Sequence, residues 1–327
     1  EMMTGISPSL FFFCPERVFF VFRPRQCLRH VARMARLGYH RAASGRGSPF
    51  AVPPSAGPGP PPLLSFMEEN VRRFYQESWQ GIPFTSFSHI SFFHLAEPKF
   101  YATFYEELFR RFKDWDDLPA VWRQNKRKDA QWLAARLREQ AALRPEGSGP
   151  LRVLSIGSGV GYMEHCLVEE MSADELELHV NEPSTVSMRW LRRHVPNERM
   201  YIGMPPACLP PDVFYDVIYL SAVDYSIPTR ELQHLLGELR AQLVPGGQLI
   251  CLSASLLQED SFIGSFVNAL KIVIRGFLHF LGIRRQQFWG WRRTRDEYRE
   301  LLRKADFRHL EDGWLEDGFE TYWIRGC

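Results

Sequence analysis

Cysteine is scarce in this 327-residue chain: Cys14, Cys27, Cys166, Cys208, Cys251 and Cys327 are scattered, and no two stand in Cys-x-x-Cys spacing. That argues against both a zinc site and a disulfide framework and points to a reducing, cytoplasmic setting; no metal is expected. Long charge-free apolar runs are also lacking. The run Leu10 to Phe22 is interrupted by Pro15, Glu16 and Arg17, and the longer one from Ser261 to Gly282 contains Lys271, Arg275, Asn268 and several glycines. The first is too short to cross a bilayer, and the second reads as a buried or interfacial helix, so no transmembrane segment is expected. Acidic residues are absent between Arg17 and Met67.

That last absence sets the N-terminus apart. Residues 1–66 hold eight arginines and two glutamates, a net of +6, so the remaining residues carry −4 of the chain's +2. A mildly acidic body argues against a stable nucleic-acid partner. The Pro- and Gly-rich run from Pro49 to Pro62 has the composition of a linker. Residues 1–66 are therefore expected to be an unstructured extension upstream of a start at Met67, the alternative being an organelle transit peptide. The chain is 45% hydrophobic, enough for one large domain with an added cap. The pattern predicts a helical cap or lid over 67–149. In it Phe100, Phe104, Leu108 and Phe112 recur at helical spacing, and a second helix runs from about Pro119 to Leu143. The break from Ile82 to His94, rich in Phe and carrying His89 and His94, is a candidate lid over an active site.

From Leu151 onward strands alternate with helices, the signature of a doubly wound, mostly parallel sheet with helices on both faces. The stretch LRVLSIGSGVGY, Leu151 to Tyr162, joins a buried strand to a helix through Gly157, Gly159 and Gly161. Glycines there permit a sharp turn and close approach of a ligand, and the following helix points its first amides at the same place. A plain strand-to-helix turn is the alternative. Tyr162 stands where the dinucleotide fingerprint needs its third glycine, which disfavours that motif. A strand Leu176 to Val180 ends in Asn181-Glu182-Pro183, and Glu182 sits where an acid can accept from both ribose hydroxyls. A weak strand near Met200 to Ile202 precedes the strand Asp216 to Leu220, which runs into Ser221-Ala222-Val223-Asp224-Tyr225. A helix from about Thr229 to Leu243, a tight turn Val244-Pro245-Gly246-Gly247 and a strand Gln248 to Leu252 follow. Thr294 to Phe307 reads as an amphipathic helix with Tyr298, Leu301 and Leu302 inward, and His309 to Leu315 with Phe319 to Arg325 as a closing hairpin.

LSIGSGVG, then NEP, then DVIYLSAVDY, then a helix ending LVPGGQLICLS, resembles in order and spacing the class I S-adenosylmethionine-dependent methyltransferases over about residues 150–255. The resemblance implies a seven-stranded Rossmann-like domain over 150–327, with a helical insertion at about 259–305 and a final antiparallel strand. It implies S-adenosyl-L-methionine as cofactor. Ser155, Gly157, Ser158, Gly159 and Gly161 would line its methionine part, Glu182 and Pro183 its ribose, and Ser221, Ala222 and Val223 the region of the methyl group. The loop Gly203 to Ala207 would pass the adenine, without offering the acid that its amine would meet. Ser155 also departs from the family, which commonly has an acid there near the cofactor's amino group.

Methyl transfer from a sulfonium is an in-line displacement in which positioning and exclusion of water supply most of the rate. Where a base is used, Asp224, Tyr225 and His94 are the candidates, with His89 beside His94. No Asn/Asp-Pro-Pro-Tyr sequence follows the Asp216 to Leu220 strand, which disfavours methylation of base or glutamine amines. The aromatic flanks suit a small-molecule or lipid-like, amphiphilic acceptor. Protein or RNA methylation, and a noncatalytic cofactor-binding or scaffold role, are the alternatives. On the sequence alone, Ser155→Asp is expected to restore the missing acid and tighten cofactor binding.

Overall fold

The computed structural model describes residues 73–76, 78–80, 82–83, 98–257, 274, 278, 287–315 and 321–327, all within the unit Pro60–Cys327. The extension 1–66, residues 84–94 with His89 and His94, nearly all of the apolar stretch 261–282, and the turn Glu316-Asp317-Gly318 lie outside the described residues.

Seven strands form the central sheet: β4 (Leu151–Ile156), β5 (Leu176–Glu182), β6 (Met200–Ile202), β7 (Tyr215–Ser221), β8 (Leu243–Ser253), β10 (Glu311–Trp314) and β11 (Tyr322–Gly326). Their spatial order is β10-β11-β8-β7-β4-β5-β6. Only β11 runs against the rest, bonded antiparallel to both β8 and β10. The expected Rossmann-like sheet with its final antiparallel strand is therefore the one observed. The chain lays down β4, β5 and β6 in one direction and then returns to place β7 on the other side of β4. This reversal opens a crevice at the carboxyl ends of β4 and β7, where open α/β sheets bind ligands.

Alternation along the strands separates two apolar layers. Val153, Val180, Val217, Tyr219 and Leu252 face one side with α1 (Pro98–Arg111), α2 (Ala120–Ala142) and α3 (Tyr162–Glu170). Leu154, Ile156, Ile218, Leu220 and Leu249 face the other with α4 (Thr229–Ala241) and α5 (Arg295–Lys304). Ala130, Leu133, Ala134 and Leu137 recur on α2 at the spacing of one helical face and are all buried. They belong to the same core as Leu151 and Val153, so α2 covers the sheet directly. Helix α5 starts at Thr294, whose hydroxyl accepts from the Glu297 amide while Glu297 accepts from the Thr294 amide, a capping box.

Three expectations are corrected. The helical pattern from Met67 does not hold at 73–83, where β1 (Arg73–Gln76), β2 (Ser78–Trp79) and β3 (Ile82–Pro83) are extended. Trp79 pairs with Ile82 across a turn through Gln80 at φ 51°, and the dense aromatics have no helical repeat. The insertion at 259–305 contains a strand, β9 (Gln287–Trp291), which pairs antiparallel with β1. The Pro-Gly-Gly turn is an irregularity inside β8. Tyr215 pairs with Leu243 but Val217 with Gln248, and the surplus residues bulge out with Gly246 at φ 78°. After β5, short 3₁₀ turns at Ser187–Arg189, Leu191–Arg193 and Asn197–Arg199 burying Trp190 and Leu191 carry the chain to β6.

Candidate functional site

The turn after β4 is built on three left-handed glycines, Gly157, Gly159 and Gly161, at φ 70°, 58° and 73°. Side chains other than glycine rarely adopt that region. What a Cβ would strike differs at each. At Gly157 it would meet the Val223 side chain at 2.5 Å, and at Gly161 Leu191 at 2.8 Å. Those two glycines therefore admit protein side chains. At Gly159 a Cβ would stand 3.0 Å from the Tyr105 hydroxyl of α1, the one group within 4 Å of it among the described residues. Amides of Gly157 and Ser158 donate to the Asn181 carbonyl at 2.9 and 3.1 Å, and the Trp115 indole donates to the Val160 carbonyl at 2.9 Å. The Ser158 hydroxyl oxygen is buried without a partner.

Glu182, at the end of β5, accepts from the Gly159 amide at 2.9 Å and is 4% exposed. Burial pushes its carboxyl up to about 7, against the donors Gly159, Ser184 and Ser187. Pro183 follows, half-buried. Ser221 and Ala222 continue β7, with the Ala222 amide donating to the Leu252 carbonyl at 2.8 Å, and Val223 packs onto Gly157. The expected cofactor residues on β4, β5 and β7 thus meet at one place, the switch point.

Ser155 behaves differently from its expected role. It is 1% exposed, and its hydroxyl donates to Glu164 of α3 at 2.5 Å; the Tyr219 hydroxyl donates to the same Glu164 oxygen at 2.9 Å. Burial raises the carboxyl of Glu164 above the usual range, with these two donors opposing. Its other oxygen, Oε2, is buried and unpartnered.

Asp224 is withdrawn from the crevice. It is 0% exposed and lies on the far layer, where Ser253 donates to it at 2.8 Å and Tyr298 of α5 also donates. The buried Arg293 holds the Asp224 carbonyl at 2.8 Å and the Ile227 carbonyl at 2.5 Å. Burial raises the Asp224 carboxyl, with Tyr298 as the largest opposing influence. Its geometry is that of a fastening between β7, β8 and α5, which removes it from the candidate bases facing the crevice. Tyr225 is half-buried against the α1–α3 layer. His94 lies outside the described residues.

Sequence reasoning missed four contributors. Lys126 of α2 reaches Ser221 Oγ and Asp129 Oδ2, both at 3.0 Å, but it stands in a run of cations that gives no signal. Tyr101 and Tyr105 belong to the aromatic stripe of α1, whose packing reading is correct for Phe104 and Leu108. Burial lifts both tyrosine hydroxyls well above their ordinary range; Ser226 bonds Tyr101. Glu164 was legible in principle, as an acid among the inward residues Met163, Cys166 and Leu167. Among the described residues, no group of three His, Cys, Asp or Glu could hold a metal, and no helix is long and apolar enough to cross a membrane.

No family model and no curated protein matches the chain. Among solved structures it is similar to human N-acetylserotonin methyltransferase in complex with SAM, at 15% identity over 81% of this chain and 65% of that one, with a TM-score of 0.46. It is also similar to a putative O-methyltransferase from Nostoc punctiforme PCC 73102, at 15% identity over 74% and 63%, TM-score 0.48. A third is PigF with SAH, at 17% identity over 81% and 69%, TM-score 0.44. The chain spans just under two thirds of the length of the first two.

The Glu164 contact reverses the expectation for Ser155→Asp. A second carboxyl beside Glu164 in a buried place is expected to lower the melting temperature, on the order of 3 kcal/mol, without tightening ligand binding; calorimetry and titration of the variant check both. Glu182 gives a pH-dependent test. Its carboxyl is raised from 4.5 to about 7, so the folded state holds a proton that the unfolded chain has released, and this contribution to stability fades as pH rises through 7. Glu182→Gln keeps an acceptor for Gly159 and removes the buried charge. Its melting temperature should match wild type near pH 4.5 and exceed it at pH 8, by up to roughly 3 kcal/mol in stability.

Proposed function

We propose that the chain is an S-adenosylmethionine-dependent methyltransferase that moves a methyl group to a small-molecule or amphiphilic acceptor. The observation that carries this reading is Glu182, a buried acid at the end of β5, bonded beside the switch point to the middle glycine of the β4 turn. A carboxylate so placed can accept from two vicinal ribose hydroxyls. Buried oxygens without partners beside it, Ser158 Oγ and Glu164 Oε2, fit a polar ligand.

S-adenosylmethionine, when bound, supplies a methyl group on a positively charged sulfur. The chain's own part is to hold and enclose. Glu182 fixes the ribose end, Ser221 to Val223 wall the crevice beside the glycine turn, and Tyr101, Tyr105 and Tyr225 roof it from α1 and the turn after β7. Neutral tyrosine hydroxyls donate without adding charge, and their rings exclude water. With Asp224 sealed in the far layer, acceptor deprotonation is assigned to no described acid, and positioning carries the rate. That same sealing of Asp224 favours a second reading, a noncatalytic cofactor-binding protein. Four free thiols among the described residues, Cys166, Cys208, Cys251 and Cys327, fit a reducing, cytoplasmic setting.

S-adenosylmethionine or S-adenosylhomocysteine is expected to raise the melting temperature, by about 3 kcal/mol in stability at a hundredfold excess over Kd, and Glu182→Ala is expected to abolish the shift. No shift at millimolar ligand contradicts the reading. Mass spectrometry of metabolite extracts incubated with enzyme and cofactor should then reveal a gain of one methyl group; binding without any methylated product favours the noncatalytic reading.

A further inference from the structure

A cluster of titratable side chains away from the crevice has no part in the methyltransferase reading. Glu177 and His179 stand two residues apart on β5, and Tyr201 lies on the neighbouring edge strand β6. His179 pairs in register with Leu154, so the cluster belongs to the layer opposite α1, α2 and α3. Glu177 Oε1 is 2.8 Å from His179 Nε2, and the Tyr201 hydroxyl is 2.8 Å from His179 Nδ1. Arg152 donates to the same Glu177 oxygen at 3.0 Å. Against burial, which raises it, the bonds from His179 and Arg152 hold the Glu177 carboxyl below its ordinary range, and burial pushes the His179 imidazole down. An ionised carboxylate only accepts, so the hydrogen of the neutral imidazole is on Nε2, and the Tyr201 hydroxyl donates to the lone pair on Nδ1. The Tyr215 ring meets the imidazole edge-on with centroids 5.5 Å apart and fixes its plane. Carboxylate, imidazole and hydroxyl thus stand in the order that makes a hydroxyl nucleophilic. Tyr201 is half-buried, whereas Tyr215, Tyr219, Tyr298 and Tyr322 are buried.

We propose that Tyr201 is a second reactive site, a nucleophile that accepts an acyl group from an activated ester or thioester, with His179 as its base and Glu177 as a positioning residue. The phenol oxygen bonds to the acyl carbon, the bond from that carbon to the donor's oxygen or sulfur breaks, and the phenol proton passes to His179 Nδ1. The imidazolium then hands the proton to the leaving oxygen or sulfur, so the products are a tyrosyl ester and a neutral alcohol or thiol. Glu177 across the ring favours the imidazolium while it lasts, and Arg199 and Arg152 oppose it. The site is separate from the crevice, and its test needs no methyl donor.

Treatment of the full chain with p-nitrophenyl acetate, followed by peptide mapping in a mass spectrometer, tests this. Tyr201 is expected to gain an acetyl group at pH 7 at least roughly tenfold faster than N-acetyltyrosinamide in solution. His179→Gln should slow that acetylation roughly 100-fold, and Tyr201→Phe should remove it. In wild type the rate should level off once the imidazole is neutral, by about pH 7, whereas in His179→Gln it should keep rising toward about pH 10 as the phenol ionises. Glu177→Gln, which leaves the hydroxyl and imidazole in place, should slow acetylation at least roughly tenfold and keeps the test open if His179→Gln does not fold. Acetylation of Tyr201 no faster than that of the free tyrosine amide, or equal rates in wild type and the His179 and Glu177 variants, overturns the proposal. The methyltransferase reading stands or falls separately, on binding of S-adenosylhomocysteine.

Discussion

The hydrogen bond from the Gly159 amide to Glu182 joins the ends of the first two strands of the Rossmann-like sheet, and the crevice is organised around it. A carboxylate removed from water is unfavourable unless donors surround it. Here Gly159 and Ser184 donate from the backbone and Ser187 from its side chain, and the turn that carries Gly159 is held by the Gly157 and Ser158 amides on the Asn181 carbonyl. Glycine at 157 and 161 is explained by the side chains of Val223 and Leu191 lying where Cβ atoms would stand. At the middle glycine the group a Cβ would approach is the Tyr105 hydroxyl, so all three positions are closed by side chains of the protein itself.

Glu182, Glu164 and Asp224 are buried at this end of the sheet, and their surroundings separate them. Glu182 is met by backbone amides, Glu164 by two hydroxyls on one oxygen, and Asp224 by Ser253 and Tyr298 on the opposite layer. In sequence Asp224 is one candidate base among several, directly after β7. The strand's alternation and the turn after Ser221 direct it instead toward α5, and the buried Arg293 fastens its carbonyl there.

The strands and glycines were legible because short apolar runs, punctuated by glycine and an acid, read alike in sequence and space. Met200–Ile202 and the edges of β4 and β5 follow from that punctuation. The amphipathic helix from Thr294, with Tyr298, Leu301 and Leu302 inward, was equally local. What was not legible depends on distant partners. Whether Ser155 faces ligand or a helix acid is decided by Glu164, nine residues on, and whether Lys126 matters is decided by Ser221, on another layer of the fold. The aromatic segment near Phe74 was misread as helix because its extended form is fixed by β9, more than two hundred residues away.

The central claim is that the Gly159–Glu182 contact is a ribose site held closed by the protein's own backbone. A crystal structure with S-adenosylhomocysteine tests it most directly. The account predicts the Glu182 carboxylate bonded to both ribose hydroxyls, with the nucleoside lying along the Gly157 to Gly161 turn. A nucleoside seated elsewhere, with Glu182 making no contact to it, would contradict the account.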